Sequence, residues 1–257
     1  MQNENPLIVL MSDFGGSSSY VGMMKGVIAT LCPAARVIDL AHTIFPQNVV
    51  EASVLLATAQ RYFPEKAIFV CVVDPGVGSA RKIVCMRCGE RIYLAPDNGL
   101  LGLLRPGKGK ADYREVNNPA MMLSPISRTF HGRDIFAPVA ARLAAGEPFE
   151  SVGPEMQTIA SLKIPTPKLN ESGAVVGEVL YADSFGNLVT NVPGRSLGLE
   201  SPIECVLSAQ FGKDLKPCQP NEITIGICGR KIKGVSECYS QVARRELVAL
   251  IGSSGLL

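Results

Sequence analysis

The chain has 257 residues, 47% of them hydrophobic and only 19% charged, with a formal net charge of +2. That length supports a sizeable core in one large domain or two smaller ones, and the composition belongs to a well-buried globular protein, not a disordered or fibrous one. A near-neutral balance leaves no electrostatic footprint for nucleic acid or an anionic membrane, so small neutral or zwitterionic ligands fit better.

The N-terminus, MQNENPLIVLMSDFGG, has no basic segment ahead of its short apolar run, and Ser12 and Asp13 break that run, so no signal peptide is expected. No window reaches the roughly 18 uninterrupted apolar residues of a membrane span, and a cytoplasmic location is the expectation. The eight cysteines are read as reduced thiols, several of them buried as small hydrophobes.

Residues 7–11, LIVLM, form a first strand that ends in Ser12-Asp13-Phe14-Gly15-Gly16, an acid followed by a glycine turn. Ser17 to Ser19 can cap a helix over 20–31, stopped before Pro33. Residues 36–40 read as a second strand and 48–63 as a helix ending before Pro64. His42, just after the second strand, reads as structural or as support for a site.

Residues 67–73 are a third strand, rich in Val, Ile and Phe as suits burial on both faces. Asp74 follows it, and Pro75-Gly76 turns the chain at once. Strand, helix, strand, helix, strand implies right-handed crossovers and a parallel sheet. In such sheets ligands gather beyond the carboxyl ends of the strands. If the first and third strands are parallel neighbours, Asp13 and Asp74 face one crevice, and a carboxylate there can accept from both hydroxyls of a ribose without a metal. Arg81 stands seven residues after Asp74, across a loop tight enough to fold it back. On these residues alone, a buried salt bridge holding a turn and a functional pair are equally good readings. Gly76 and Gly78 have the G-x-G spacing of a dinucleotide site, but Arg81 occupies the third glycine position, which argues against one.

Residues 83–86 and 91–95 suggest a hairpin around Gly89. It carries Cys85-Met-Arg-Cys88, the two-residue spacing of half a zinc site, with no second CxxC or His pair to complete it. Asp97 is expected to cap a helical turn over 98–104, and residues 105–128 to be loop with one strand near 113–116. A helix is predicted to begin after Thr129-Phe130-His131-Gly132-Arg133-Asp134 and to end at Gly146. His131, at its start, should be held neutral by the positive end of the helix dipole; a structural histidine is the competing reading.

Residues 161–171 look like a linker. Beyond it, short strands over 173–181, 203–207, 222–227, 231–235 and 247–251 suggest a small all-β, barrel-like domain. The fold expected is therefore α/β, with an N-terminal domain over 1–165 and a β-barrel over 166–257. Within the second half, YADSFGNLVTN brings together Asp183, Phe185 and Asn187. Asn offers a donor and an acceptor, and Phe a stacking face, which suits a purine; a plain hairpin turn suits the residues equally well.

SDFG at 12–15, HxIxPQ at 42–47, DPGVGSxR at 74–81, APDNGLL at 95–101, TFHGRDIFAP at 129–138 and DSFGNLVTN at 183–191 together resemble one family, in order and over nearly the whole chain. It is that of the S-adenosyl-L-methionine (SAM) hydrolases, or SAM hydroxide adenosyltransferases, relatives of the fluorinase and chlorinase. Each motif is weak alone; six in order make chance agreement implausible. The resemblance implies an N-terminal α/β domain and a C-terminal β-barrel, no cofactor or metal, and a homotrimer with active sites between subunits. It also implies a water-activating set of Asp74, Arg81 and His131. Asp13 matches the ribose-binding acid, Phe185 and Asn187 match residues that hold adenine with Asp183 nearby, and Ser253 matches a purine contact. The implied reaction takes SAM and water to adenosine and L-methionine.

The halogenases of the superfamily resemble this chain but carry Tyr at the Asp74 position, Thr at Val77 and Ser at Gly132. A carboxylate in that region would repel a halide. Family members continue after SSGLL with a further strand that contributes to the adenine pocket, whereas this sequence stops at Leu257. A non-catalytic sensor of SAM or adenosine is the alternative from another functional class.

Overall fold

The apolar runs of the first half become the middle of one seven-stranded sheet. Its strands are β1 (Leu7–Ser12), β2 (Arg36–Ala41), β3 (Ile68–Val72), β4 (Ile83–Cys88), β5 (Arg91–Pro96), β6 (Asp112–Glu115) and β7 (Glu155–Met156), in the order β2-β1-β3-β5-β4-β6-β7. These features come from a computed structural model that describes residues 5–104, 110–199, 205, 207 and 218–257. The chain divides into two compact units, Met1–Lys163 and Ile164–Leu257.

In the first unit, β2, β1, β3 and β5 run parallel, while β4, β6 and β7 extend the sheet by antiparallel pairing, so the whole is mainly parallel. β1 and β3 are buried along their full length, which is why they read as unbroken apolar runs instead of alternating ones. Ile8, Leu10, Val70 and Val72 join one core with Met24 and Ile28 of α1 (Ser19–Leu31) and Val139 and Ala140 of α3 (Ala137–Ala144). On the opposite face Phe69 stacks on Tyr93 at 5.0 Å between ring centroids. Each such aliphatic side chain, fully buried, stabilises the fold by about 1.5–3 kcal/mol. α1 begins where expected, the Ser18 side chain accepting from Tyr20 N–H as its N-cap. The second crossover helix, α2 (Val49–Ala59), gives way to a 3₁₀ turn over Gln60–Tyr62 before Pro64.

The pairing of β1 with β3 sets Ser12 opposite Val72. Asp13 and the segment leading to Asp74 therefore leave the sheet at the same edge from neighbouring parallel strands, as the sequence suggests.

Cys71 and Cys85 are buried, and burial pushes both thiols up. Cys85 and Cys88 lie three residues apart on β4, so the pleat sends them to opposite faces. Among the described residues no cluster of three or more His, Cys, Asp or Glu is arranged to hold a metal ion, and no helix is long and apolar enough to cross a membrane.

In the second unit the described strands form three two-stranded antiparallel sheets. β8 (Lys168–Leu169) pairs with β9 (Val175–Val176), β10 (Val179–Ala182) with β11 (Leu188–Thr190), and β12 (Thr224–Ile227) with β13 (Arg230–Lys233). The strand expected over 173–181 breaks into β9 and β10 at Gly177, where any Cβ would stand 2.2 Å from Val192 Cγ2. Residues 247–251 form only an isolated bridge from Leu250 to Ser236. The strand expected over 203–207 falls mostly on residues outside the described set; Cys205 and Leu207, which are described, are not in a strand.

Candidate active site

Asp74 follows the sheet edge by two residues and takes its position from its own turn. Its Oδ1 accepts from Gly76 N–H at 3.2 Å, and Ser79 closes the loop through its hydroxyl, which donates to Gly76 C=O at 2.6 Å and accepts from Arg81 N–H at 3.2 Å. Gly78 sits in the left-handed region at φ 76°, and a Cβ there would lie 2.4 Å from the Arg128 carbonyl oxygen. Only glycine lets this loop close on the segment that leads to His131. Behind the loop, the Asn98 side chain donates to Val73 C=O at 2.9 Å and so braces the peptide that carries Asp74.

The loop brings Arg81 back onto Asp74. Arg81 Nε lies 2.8 and 2.9 Å from the two carboxylate oxygens, and Nη2 donates to Oδ2 as well. The pair is largely shielded from solvent, with 6% of the Asp74 side chain and 11% of the Arg81 side chain exposed. Arg81 Nη2 also reaches His131 Nδ1, at 2.8 Å. Arginine has no acceptor. Nδ1 must therefore be unprotonated, and the ring proton of a neutral His131 sits on Nε2. One guanidinium thus joins the acid and the imidazole, three residues drawn from positions 74, 81 and 131.

His131 is held below the ordinary histidine value, first by burial and then by the charge of Arg81, with Asp74 and Asp134 opposing. His131 opens the helical segment, as the sequence suggests, and its first turn, Gly132–Phe136, is π-helical before the chain passes into α3. Such turns gather at functional sites. Asp134, within that turn, is buried and accepts from Ser127 N–H at 2.8 Å and from Arg133 Nε at 2.6 Å. Burial works to raise its carboxyl, and the bonds from Arg133 and Ser127 outweigh it, leaving it below the carboxylate range. It anchors the segment ahead of His131.

Asp13 is held by the loop after β2: Gln47 N–H donates to its Oδ2 at 2.8 Å, with Gln47 itself at φ 66°. A non-glycine residue in that region is strained, and such strain persists where surrounding contacts impose it. Asp97 does not cap the following turn as expected. It accepts from Ala160 N–H at 2.7 Å, and Asn98 Oδ1 takes Leu100 N–H instead.

The second unit holds the other candidates. Asp183 accepts from Phe185 N–H at 2.9 Å, Asn187 N–H at 2.9 Å and the Asn187 side chain at 2.8 Å, across the β10–β11 turn. Burial acts to raise its carboxyl, but the Asn187 and Phe185 bonds prevail and lower it. Asp183 is thus the turn's own clasp, and Phe185 is displayed at 89% exposure beside Asn187. Ser253 is exposed in the turn closed by Gly255 N–H on Gly252 C=O, next to a chain end that pairs with Thr190 and Val192. Asn98, Gln47 and Asp134 were not singled out by sequence as site residues. All three lay within the quoted motifs, which was the available signal.

Residues 8–153 match the family model described as the SAM hydroxide adenosyltransferase N-terminal domain, and residues 177–257 match the corresponding C-terminal domain. The chain is 41% identical over 194 residues to the (R)-S-adenosyl-L-methionine hydrolase of Salinispora arenicola, spanning 75% of this chain and 74% of that protein. It is 36% identical over 260 residues to the enzyme of the same name from Thermus thermophilus, spanning 97% and 89%. Among solved structures, an uncharacterized conserved protein from Thermotoga maritima superposes with a TM-score of 0.79 at 34% identity, covering 97% of this chain and 90% of that one.

Proposed function

The chain belongs to the SAM hydroxide adenosyltransferase family, and on that premise we propose that it hydrolyses S-adenosyl-L-methionine to adenosine and L-methionine. The observation that carries this reading is the single guanidinium of Arg81 bonded to both the Asp74 carboxylate and His131 Nδ1.

The sulfonium makes methionine a good neutral leaving group, so no acid or metal is required to expel it. What the protein supplies is a water oriented in line with the C5′–S bond. The water oxygen bonds to C5′, the C5′–S electron pair departs on sulfur, and one proton leaves the water. With His131 Nδ1 committed to Arg81, that proton goes toward Asp74, while His131 Nε2–H holds a hydrogen bond in the site. Asp13 and Asp74 against one Arg81 leave an excess negative charge facing the sulfonium, and a neutral His131 preserves it. Asp13 takes the ribose hydroxyls, and Phe185 and Asn187, clasped by Asp183, hold the adenine with Ser253.

The same reading assigns residues 1–165 to water activation and 166–257 to a barrel-like, adenine-binding domain in a cytoplasmic homotrimer with sites between subunits. The full display of Phe185 is in keeping with a partner surface, and light scattering in solution reads the trimer. The hydrolase is tested by incubating the protein with SAM and following both products by liquid chromatography. Catalytic release of adenosine and methionine, severely reduced by Asp74→Ala, is the expected result. Bound adenosine without turnover would instead mark a sensor, and a 5′-halogenated nucleoside a halogenase.

A further inference from the structure

Where β1 ends beside β2 there is a Ser–His–Asp arrangement that the proposed chemistry does not use. Ser12 Oγ lies 2.8 Å from His42 Nδ1. His42 Nε2 stands 3.1 Å from Asp39 Oδ1 but outside the alignment of a full hydrogen bond, and Asp39 is paired with Lys25 at 2.6 Å. This is not a nucleophile site. A hydrolase triad sets the serine on Nε2 and the acid on Nδ1, the reverse of what is found here, and Ser12 is only 1% exposed.

The arrangement surrounds Asp13. A buried hydroxyl at the end of β1 requires a partner, and a register shift supplies it. Leu10 pairs with Asp39 but Met11 with Ala41, so β2 gains one residue and His42 comes opposite Ser12. The same residue also grips the far side of the turn, its carbonyl accepting from Gly15 N–H at 2.7 Å. His42 thereby holds positions 12 and 15, with Asp13 between them. Five residues on, Gln47 donates to the Asp13 carboxylate. The segment between is pinned by Asn48 N–H on Phe45 C=O at 2.9 Å and by Phe45 N–H on Glu51 Oε2 at 3.1 Å.

We propose that His42, through its bond to Ser12, is a positioning residue that aims the Asp13 carboxylate at the substrate ribose. The proposal rests on the reading of Asp13 as the ribose acid. The test compares kcat/KM for SAM and for 2′-deoxy-SAM in the wild type and in variants. In the wild type, loss of a hydroxyl bonded to a charged acceptor lowers kcat/KM by about 10- to 100-fold. Asp13→Asn should shrink that penalty to within about threefold. His42→Ala should shrink it too, while His42→Asn, whose side-chain amide can still bond the Ser12 hydroxyl, should restore most of it. Ser12→Ala, a smaller change, gives the same comparison if His42→Ala does not fold.

A residue that merely supports the fold would depress both substrates alike. If the His42 and Ser12 variants keep the full wild-type penalty while Asp13→Asn loses it, the positioning role is refuted and the ribose reading stands. If Asp13→Asn keeps the penalty as well, the ribose reading and the positioning role fall together.

Discussion

Replacing Arg81 by lysine keeps the charge and removes the geometry, which makes it the sharpest perturbation of the site. The guanidinium makes Nε contacts of 2.8 and 2.9 Å to both Asp74 oxygens, a further Nη2 bond to Oδ2, and the 2.8 Å bond to His131 Nδ1. A lysine ammonium carries its three donors on a single nitrogen and lacks the planar fork, so it cannot reproduce the carboxylate contacts and span to the imidazole at once. Bonds to charged groups each contribute about 1.5–3 kcal/mol, and the pair is too buried for solvent to take their place. One surviving contact offsets part of the loss, so Arg81→Lys should cost about 2–4 kcal/mol of stability. Removing the charge altogether with Arg81→Ala should approach the roughly 3–5 kcal/mol of a buried ion pair broken on one side. Turnover should fall about 100-fold or more in the lysine variant, because Asp74 and His131, the groups proposed to hold the water, lose their common anchor. Equilibrium urea denaturation reads the first quantity and chromatography of released adenosine the second. Stability within about 0.5 kcal/mol of wild type, together with turnover within about twofold, would refute the reasoning.

His131 is held low by burial and by Arg81. Its folded pKa therefore lies below the unfolded value of about 6.5, and the unfolded chain takes up the proton first. The stability linked to it should be fully present above about pH 6.5 and be lost as pH falls through the folded value. Urea titrations of the wild type and His131→Gln should differ most on that acid limb, and one of only two imidazole NMR signals should titrate low. Gly78→Ala combines φ 76° with a 2.4 Å approach to Arg128 C=O, so it should lose about 1–3 kcal/mol and, by opening the loop, most of the activity; thermal melts and adenosine release check both. Asp183→Ala removes the acceptor for three donors in the β10–β11 turn, and should raise KM for SAM about tenfold or more with a smaller change in kcat, read from steady-state kinetics.

The readability of this chain followed the range of the forces involved. β1 and β3 announced themselves as continuous apolar runs because both faces are buried, and the acids just beyond them were visible as the first polar residues after each strand. The Asp74 turn was legible because proline, glycine and serine act within a few residues of one another. Arg81 reaching His131, fifty positions away, followed from the family resemblance and not from spacing, since tertiary packing alone sets that distance. The π-turn after His131 left no mark, because the GRDIF segment has ordinary helical character and the extra residue is accommodated by Asp134 bonding back to Ser127. The register shift that sets His42 opposite Ser12 was likewise hidden, as nothing in RVIDLA signals a bulge. In the second unit the alternation of short runs overstated strand length, with Gly177 ending one strand through its close approach to Val192.

The central claim is that water, placed by Asp74, Arg81 and His131, attacks C5′ of SAM. It is tested most directly by turnover in H₂¹⁸O with mass analysis of both products. Adenosine should gain one ¹⁸O at its 5′-hydroxyl while methionine gains none, and Asp74→Ala should severely reduce the labelled product. Label in methionine, unlabelled adenosine, or SAM held without turnover would contradict it.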